Sequence, residues 1–212
     1  MKDVRLEAVT LGDAAKLLPG EMLCRHTADV FGSRITVTYA VNAEEHARRE
    51  QVGTGAIEDE RALAMLLALP TDDLAPVPPR FADVAIDLAS HSASTVDIFA
   101  DPDGDVWARR RVDVPVRVVE IEIASSRWPL AMRAAHRWNG YGPRKIVMTT
   151  GVPDESAASI EASHYGVGLT IEDGSGGRVI IEADTFNPRR FTVARWLFAE
   201  TVYRQFVDAV RS

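Results

Sequence analysis

Residues 116–124, VRVVEIEIA, constrain this chain more than any other stretch. Valine and isoleucine dominate it, the composition of a buried strand. Two carboxylates interrupt the run, at Glu120 and Glu122. Side chains two apart on a strand share a face, so the acids point one way while Val119, Ile121 and Ile123 point the other. Like charges side by side on a buried strand are costly unless something positive holds them. A divalent cation is one remedy, because Mg²⁺ accepts one or two carboxylates along with waters and phosphate oxygens. The same residues also suit an edge strand whose acids face solvent, and alternation alone fits both arrangements.

Periodicity and turn signals organise the rest. A short helix is expected over residues 6–18, stopped by Pro19-Gly20, and a strand over 34–41. Asn42 suits the N-cap of a helix through residue 51, with Glu44 and Glu45 in its first turn and a break at 53–55. A second helix is expected over 57–69, then a proline-rich linker or loop over 71–79. Residues 81–88 read as a strand, with Asp83 and Asp87 on one face. Residues 95–100 and 105–113 form a hairpin about the turn Asp101-Pro102-Asp103-Gly104. After the acid strand, Ser125 or Ser126 caps a helix with Pro129 in its first turn, ending at Asn139-Gly140. A strand over 145–150 follows, then a pair over 165–172 and 178–182 about a glycine-rich turn, and an amphipathic helix over 191–210. The sum is a mixed α/β (α+β) chain, divided into an N-terminal extension or subdomain, 1–80, and a core, 81–212.

Bulk properties exclude several classes. Of 212 residues, 46% are hydrophobic and 26% charged, which is ordinary for a globular chain. The single cysteine, Cys24, allows neither an internal disulfide nor a Cys-cluster zinc site and fits a reducing cytoplasm. No segment is long and apolar enough to span a membrane, and the N-terminal residues lack the apolar core of a secretory signal. The net charge of −7 argues against a general nucleic-acid binder. Its distribution argues otherwise. Residues 109–145 hold nine Arg or Lys against three Asp or Glu, a surplus of six that leaves −13 elsewhere. A phosphate backbone meets that local field.

An aspartate on one strand, Asp97, precedes Glu120-Ile121-Glu122 on the next. Ser125-Ser126 and a basic helix with Arg137-Trp138 and Tyr141 follow. This order resembles the PD-(D/E)XK nuclease superfamily, and within it the MmcB-like DNA-repair branch, whose pattern is Glu-x-Lys-Ser and then Lys-Trp-x-x-Tyr. The resemblance covers residues 95–172. Glu122 stands where that pattern has Lys, and some restriction endonucleases of the superfamily carry Glu-x-Glu.

The resemblance implies a restriction-endonuclease-like mixed central sheet flanked by helices, behind an N-terminal α/β extension. It implies a metal-dependent DNA endonuclease or repair-associated nuclease. Asp97, Glu120 and the main-chain carbonyl of Ile121 would hold Mg²⁺ or Mn²⁺, and Glu122 would be a ligand or orient the attacking water. Arg127, Arg133 and Arg137 would contact phosphates of the DNA partner. Glu58 and Glu60 suit an acid on the first helix near the metal, or simply the favoured charge at a helix N-terminus. A second reading is a catalytically inactive nuclease-fold module that binds nucleic acid or a protein partner. A third is a small-molecule enzyme or assembly subunit of unrelated fold with the acid pair at its surface. Residues 1–80 suit an added subdomain, the dimerisation surface of a homodimer or a specificity element. No Gly-x-Ser-x-Gly elbow, His-Glu-x-x-His or P-loop is present.

Overall fold

The computed structural model describes residues 18–19, 21–91, 94–102, 105–172 and 176–211. The expected helix over 6–18 lies almost wholly outside them. In chain order the elements are β1 (Glu21–Val30), β2 (Ser33–Asn42), α1 (Ala43–Val52), α2 (Glu60–Ala68), β3 (Ala75–Pro76), α3 (Ala82–His91), β4 (Val96–Ala100) and β5 (Val106–Arg110). They continue with β6 (Val116–Ser125), α4 (Trp128–Arg137), β7 (Arg144–Met148), α5 (Glu155–His164), β8 (Val167–Ile171), β9 (Arg178–Ile181) and α6 (Val193–Val210). The protein is thus mixed α and β, with a six-stranded sheet ordered β1-β2-β6-β7-β8-β9 and a three-stranded sheet ordered β3-β5-β4. It divides into two compact units, one of residues 1–40 and 117–189, the other of 41–116 and 190–212. Residue 80 falls inside the second unit, and both units are built from separated stretches of chain.

In the first unit, β1 and β2 form a hairpin whose two connecting residues, Phe31 (φ 48) and Gly32 (φ 73), are both left-handed. That is the primed two-residue turn whose twist matches the strands. The motif β6-α4-β7-α5-β8 then builds a parallel core, with Glu122 opposite Lys145 and Ile123, Ile146 and Leu169 aligned across it. Crossovers of this kind are right-handed, so α4 and α5 cover one and the same face. That face carries Ile121, Ile123, Ile146, Met148 and Leu169, and the helices meet it with Ala131, Met132, Ala135, Ala158 and Ala162, all buried. Small helix residues let the two layers approach closely, and each buried isoleucine contributes about 1.5–3 kcal/mol.

In the second unit, α2, α3 and α6 pack with the β3-β5-β4 sheet about Leu63, Leu66, Val84, Ala85, Val96 and Trp196. Asn42 caps α1 by accepting from the Glu45 amide, and Gly53 (φ 69) ends it, as the sequence leads one to expect. The hairpin of β4 and β5 is antiparallel, again as expected.

Three expectations need correction. Residues 81–88 are not a strand: Phe81 ends a 3-10 turn and residues 82–88 begin α3. Phe81, Val84, Ala85 and Leu88 fall at the 3-4 spacing of a helix, and the interval of four between Asp83 and Asp87 fits a helix as well as a strand. Neither Ser125 nor Ser126 caps α4. Arg127 holds the N-cap position with no side-chain cap bond, and Pro129 lacks one of the amides a cap would satisfy. Two elements, β1 and α5, have no counterpart in the sequence reading.

Candidate functional site

The acids on β6 alternate with Ile121 and Ile123, so Glu120 and Glu122 occupy the sheet face opposite α4 and α5. Two cations meet them there. Lys145 stands beside Glu122 in register on β7. Its Nζ lies 2.7 Å from Glu120 Oε1 and 3.1 Å from Glu122 Oε2. Arg25, on β1, donates through Nη2 to both Glu122 oxygens, at 2.9 and 3.0 Å. Arg25 reaches across β2, where the neighbouring same-face residues Thr36, Thr38 and Ala40 have short side chains. The four charges balance, which answers the cost of two acids on one strand. Glu122 is the most enclosed, 14% exposed, while Lys145 and Glu120 are about a quarter exposed, at 24% and 27%.

Lys145 is a cation at neutral pH. Burial works against its charge, but the Glu120 and Glu122 carboxylates more than offset that and raise its pKa above the ordinary lysine value. It therefore donates hydrogen bonds and supplies positive charge, and does not take a proton from water. Next to Lys145 in register is Gly168 on β8. A side chain there would meet the Ala183 amide nitrogen at 2.9 Å, so the chain after β9 crosses the acid face beside the lysine.

Asp97 belongs to the second unit, where it accepts from Arg109 Nε at 2.8 Å and Arg111 Nη1 at 3.1 Å. Arg109 faces it across the β4-β5 hairpin. Arg133 and Arg137 are exposed residues of α4 and lie on the helix side of the sheet, so the structure does not bring them to Glu120 and Glu122. Arg127 is exposed at the start of that helix. Ile121 is fully buried in the side chain, and its amide is held by the Pro143 carbonyl at 2.8 Å. His136 stacks edge-on against Tyr165 at 4.6 Å. Glu58 is paired with Arg204, and Asp83 with Arg61 at 3.1 Å.

Lys145 and Arg25 are the residues sequence reasoning missed. Lys145 opens the apolar run Lys145-Ile146-Val147-Met148, and a parallel partner of β6 would set it beside the acids. Arg25 could not be placed without β1.

Among the described residues, no group of three or more His, Cys, Asp or Glu side chains converges as a metal cluster would. Mg²⁺ needs only one or two carboxylates, with water and carbonyl oxygens completing its shell. The paired carboxylates of Glu120 and Glu122 are hard oxygen donors of the required kind, and Glu120 has only one oxygen engaged by Lys145. The donor set fits such an ion. No protein-family model matches the chain, and no curated protein or solved structure is significantly similar to it.

Proposed function

We propose that the protein is a metal-dependent phosphodiester hydrolase acting on DNA, with its reacting face at Glu120, Glu122 and Lys145. The observation that carries this reading is Lys145 Nζ, 2.7 Å from Glu120 and in register with Glu122. The Glu-x-Glu strand lacks the lysine of the Glu-x-Lys pattern, and the neighbouring strand supplies an ammonium to the same carboxylates. The residues that would hold Mg²⁺ or Mn²⁺ are Glu120 and Glu122, with the Ile121 carbonyl. Such an ion, when bound, acidifies a water and steadies charge on phosphoryl oxygens. Lys145 keeps one positive charge against the acids at all working pH values and offers its remaining N–H donors to a phosphate oxygen. Arg25 holds the Glu122 carboxylate through one nitrogen, Nη2, which donates to both of its oxygens. Asp97, which the resemblance would make a ligand, is held by Arg109 and Arg111.

A second reading has its own support. Both acids are already matched by cations, so the face is complete without a metal, as it would be in an inactive module that binds nucleic acid or a protein. Incubation with plasmid and single-stranded DNA in Mg²⁺ or Mn²⁺, beside Glu120→Ala and EDTA controls, separates the two. Cleavage lost in both controls supports the hydrolase. Salt-dependent DNA binding without cleavage points to the module.

A further inference from the structure

The second unit holds a cleft of its own, about 640 Å³, formed by the start of α2, by α3 and by the chain before β4. Acids gather in it. Glu58, Asp59, Asp83 and Asp87 line it against one arginine, Arg61, so negative charge exceeds positive by three, four against one. Surface acids alone attract any counter-ion and define no site. Thr95 adds a different demand. It lines the same cleft, is only 1% exposed, and its Oγ1 has no hydrogen-bond partner among the described residues. The neighbouring hydroxyls of Thr54 and Ser94 satisfy each other at 2.6 Å. A buried hydroxyl without a partner is costly, and native proteins keep few of them. A ligand that brings an N–H donor into the cleft satisfies it.

The acids set the charge of that donor. Asp83 and Asp87 are one turn apart on α3, with Cβ atoms about 5–6 Å apart. Asp59 caps α2 through the Arg61 amide at 2.9 Å, and Glu58 is paired with Arg204. The partners of the α3 acids are easily exchanged. Arg61 and Asp83 meet at 3.1 Å with both side chains exposed, a weak kind of pair. The Asp87 carboxylate is met by His91 Nδ1 at 3.1 Å, an ion pair only when the imidazole is protonated. Ile57, Ala62, Val84 and Leu88 give the cleft apolar surface as well. Among the described residues no three acids converge as metal ligands do. Separated carboxylates with apolar surface suit an organic cation better than a metal ion, which draws its oxygens to one point. Acids contributed by two separate segments call for more than one positive group. A linear aliphatic polyamine has that form, ammonium groups with several N–H donors each, spaced by methylenes.

We propose that this cleft binds a linear aliphatic polyamine, with one nitrogen donating to Thr95 Oγ1 and other ammonium groups paired with Asp83 and Asp87. The site lies wholly within the second unit and is independent of the reading of Glu120 and Glu122 as a hydrolase face.

Calorimetric titration of spermidine at constant ionic strength tests this in the wild type, Asp87→Asn, Thr95→Val and Glu120→Gln/Glu122→Gln, beside n-butylamine as a singly charged amine. Thr95→Val removes the hydroxyl and keeps the branched shape. Melting temperatures would be recorded for each protein. The expected result is saturable binding of spermidine by the wild type, weakened roughly fivefold or more in both Asp87→Asn and Thr95→Val. Both variants should melt no lower than wild type, Asp87 being exposed and the Thr95 hydroxyl unpartnered. The Glu120→Gln/Glu122→Gln protein should bind spermidine as the wild type does, and n-butylamine should bind more weakly than spermidine. No saturable binding would overturn the proposal. So would a loss in Asp87→Asn with none in Thr95→Val, which would mean that the amine meets surface acids only. A Thr95→Val protein that melts well below wild type would show the hydroxyl to be held within the protein and overturn it too. Binding that follows Glu120 and Glu122, or n-butylamine binding as tightly as spermidine, would likewise remove the site.

Discussion

Arg49 is the most consequential single side chain in the second unit, and its removal is expected to be severe. It is fully buried. Nε donates to Glu45 at 2.6 Å, Nη1 and Nη2 to Glu200 at 2.7 and 2.8 Å, and Nη2 to the Asp113 carbonyl at 3.0 Å. The guanidinium also lies 5.0 Å over the Tyr203 ring. Arg49→Met keeps a similar volume and takes away the charge. Glu200, also 0% exposed, would retain only the Trp196 Nε1 and Ile57 amide donors, both at 3.0 Å. Stranding a buried charge in this way costs about 3–5 kcal/mol. For a chain of this size that corresponds to a fall in melting temperature of roughly 6–20 °C. Circular dichroism melts and urea titrations read it directly. Arg49→Met/Glu200→Leu removes both charges, so it should recover part of the loss and show strong non-additivity. A single variant within about 1 kcal/mol of wild type would refute the reasoning, because it would mean that water or another cation reaches Glu200.

Further outcomes follow from other sites. Burial raises the Glu45 carboxyl, but Arg48 and Arg49 together hold it below the ordinary glutamate value. Its contribution to stability is therefore complete above about pH 5 and lost as pH falls through the lowered value, a decline that pH-dependent melts would show and Glu45→Gln would flatten. Lys145→Gln leaves Glu120 and Glu122 adjacent with Arg25 alone to offset them. It should cost about 1–3 kcal/mol, and millimolar Mg²⁺ should restore part of that in thermal melts if the acids hold an ion. Gly168→Ala forces a methyl to 2.9 Å from the Ala183 amide nitrogen, and denaturant titration should show a loss of about 1–3 kcal/mol.

What the sequence disclosed and what it hid have separate physical causes. Local signals were reliable where one residue type does one job. Asn42 and Gly53 bracket α1, and the apolar spacing of α6 marks a buried helix. β1 was invisible because its buried face is Cys24, His26, Ala28 and Val30, a mixture too polar and small to register as hydrophobic alternation. In α5, ESAASIEASH buries only Ala158 and Ala162 and exposes Ile160, so its apolar pattern runs against its packing. The acid pair was legible from period two alone. Its counter-charges were not, because Lys145 and Arg25 are 25 and 97 residues away from the glutamates they hold, and only strand order brings them together.

The proposed metal site at the acid pair is open to one direct measurement, calorimetric titration of Mn²⁺ into the wild type and into Glu120→Gln/Glu122→Gln. Saturable binding in the wild type that disappears in the variant is the expected result, given melts showing both proteins folded. Indistinguishable heats in the two proteins, or no binding to either, would contradict a metal held by Glu120 and Glu122 and leave the face as a closed set of ion pairs.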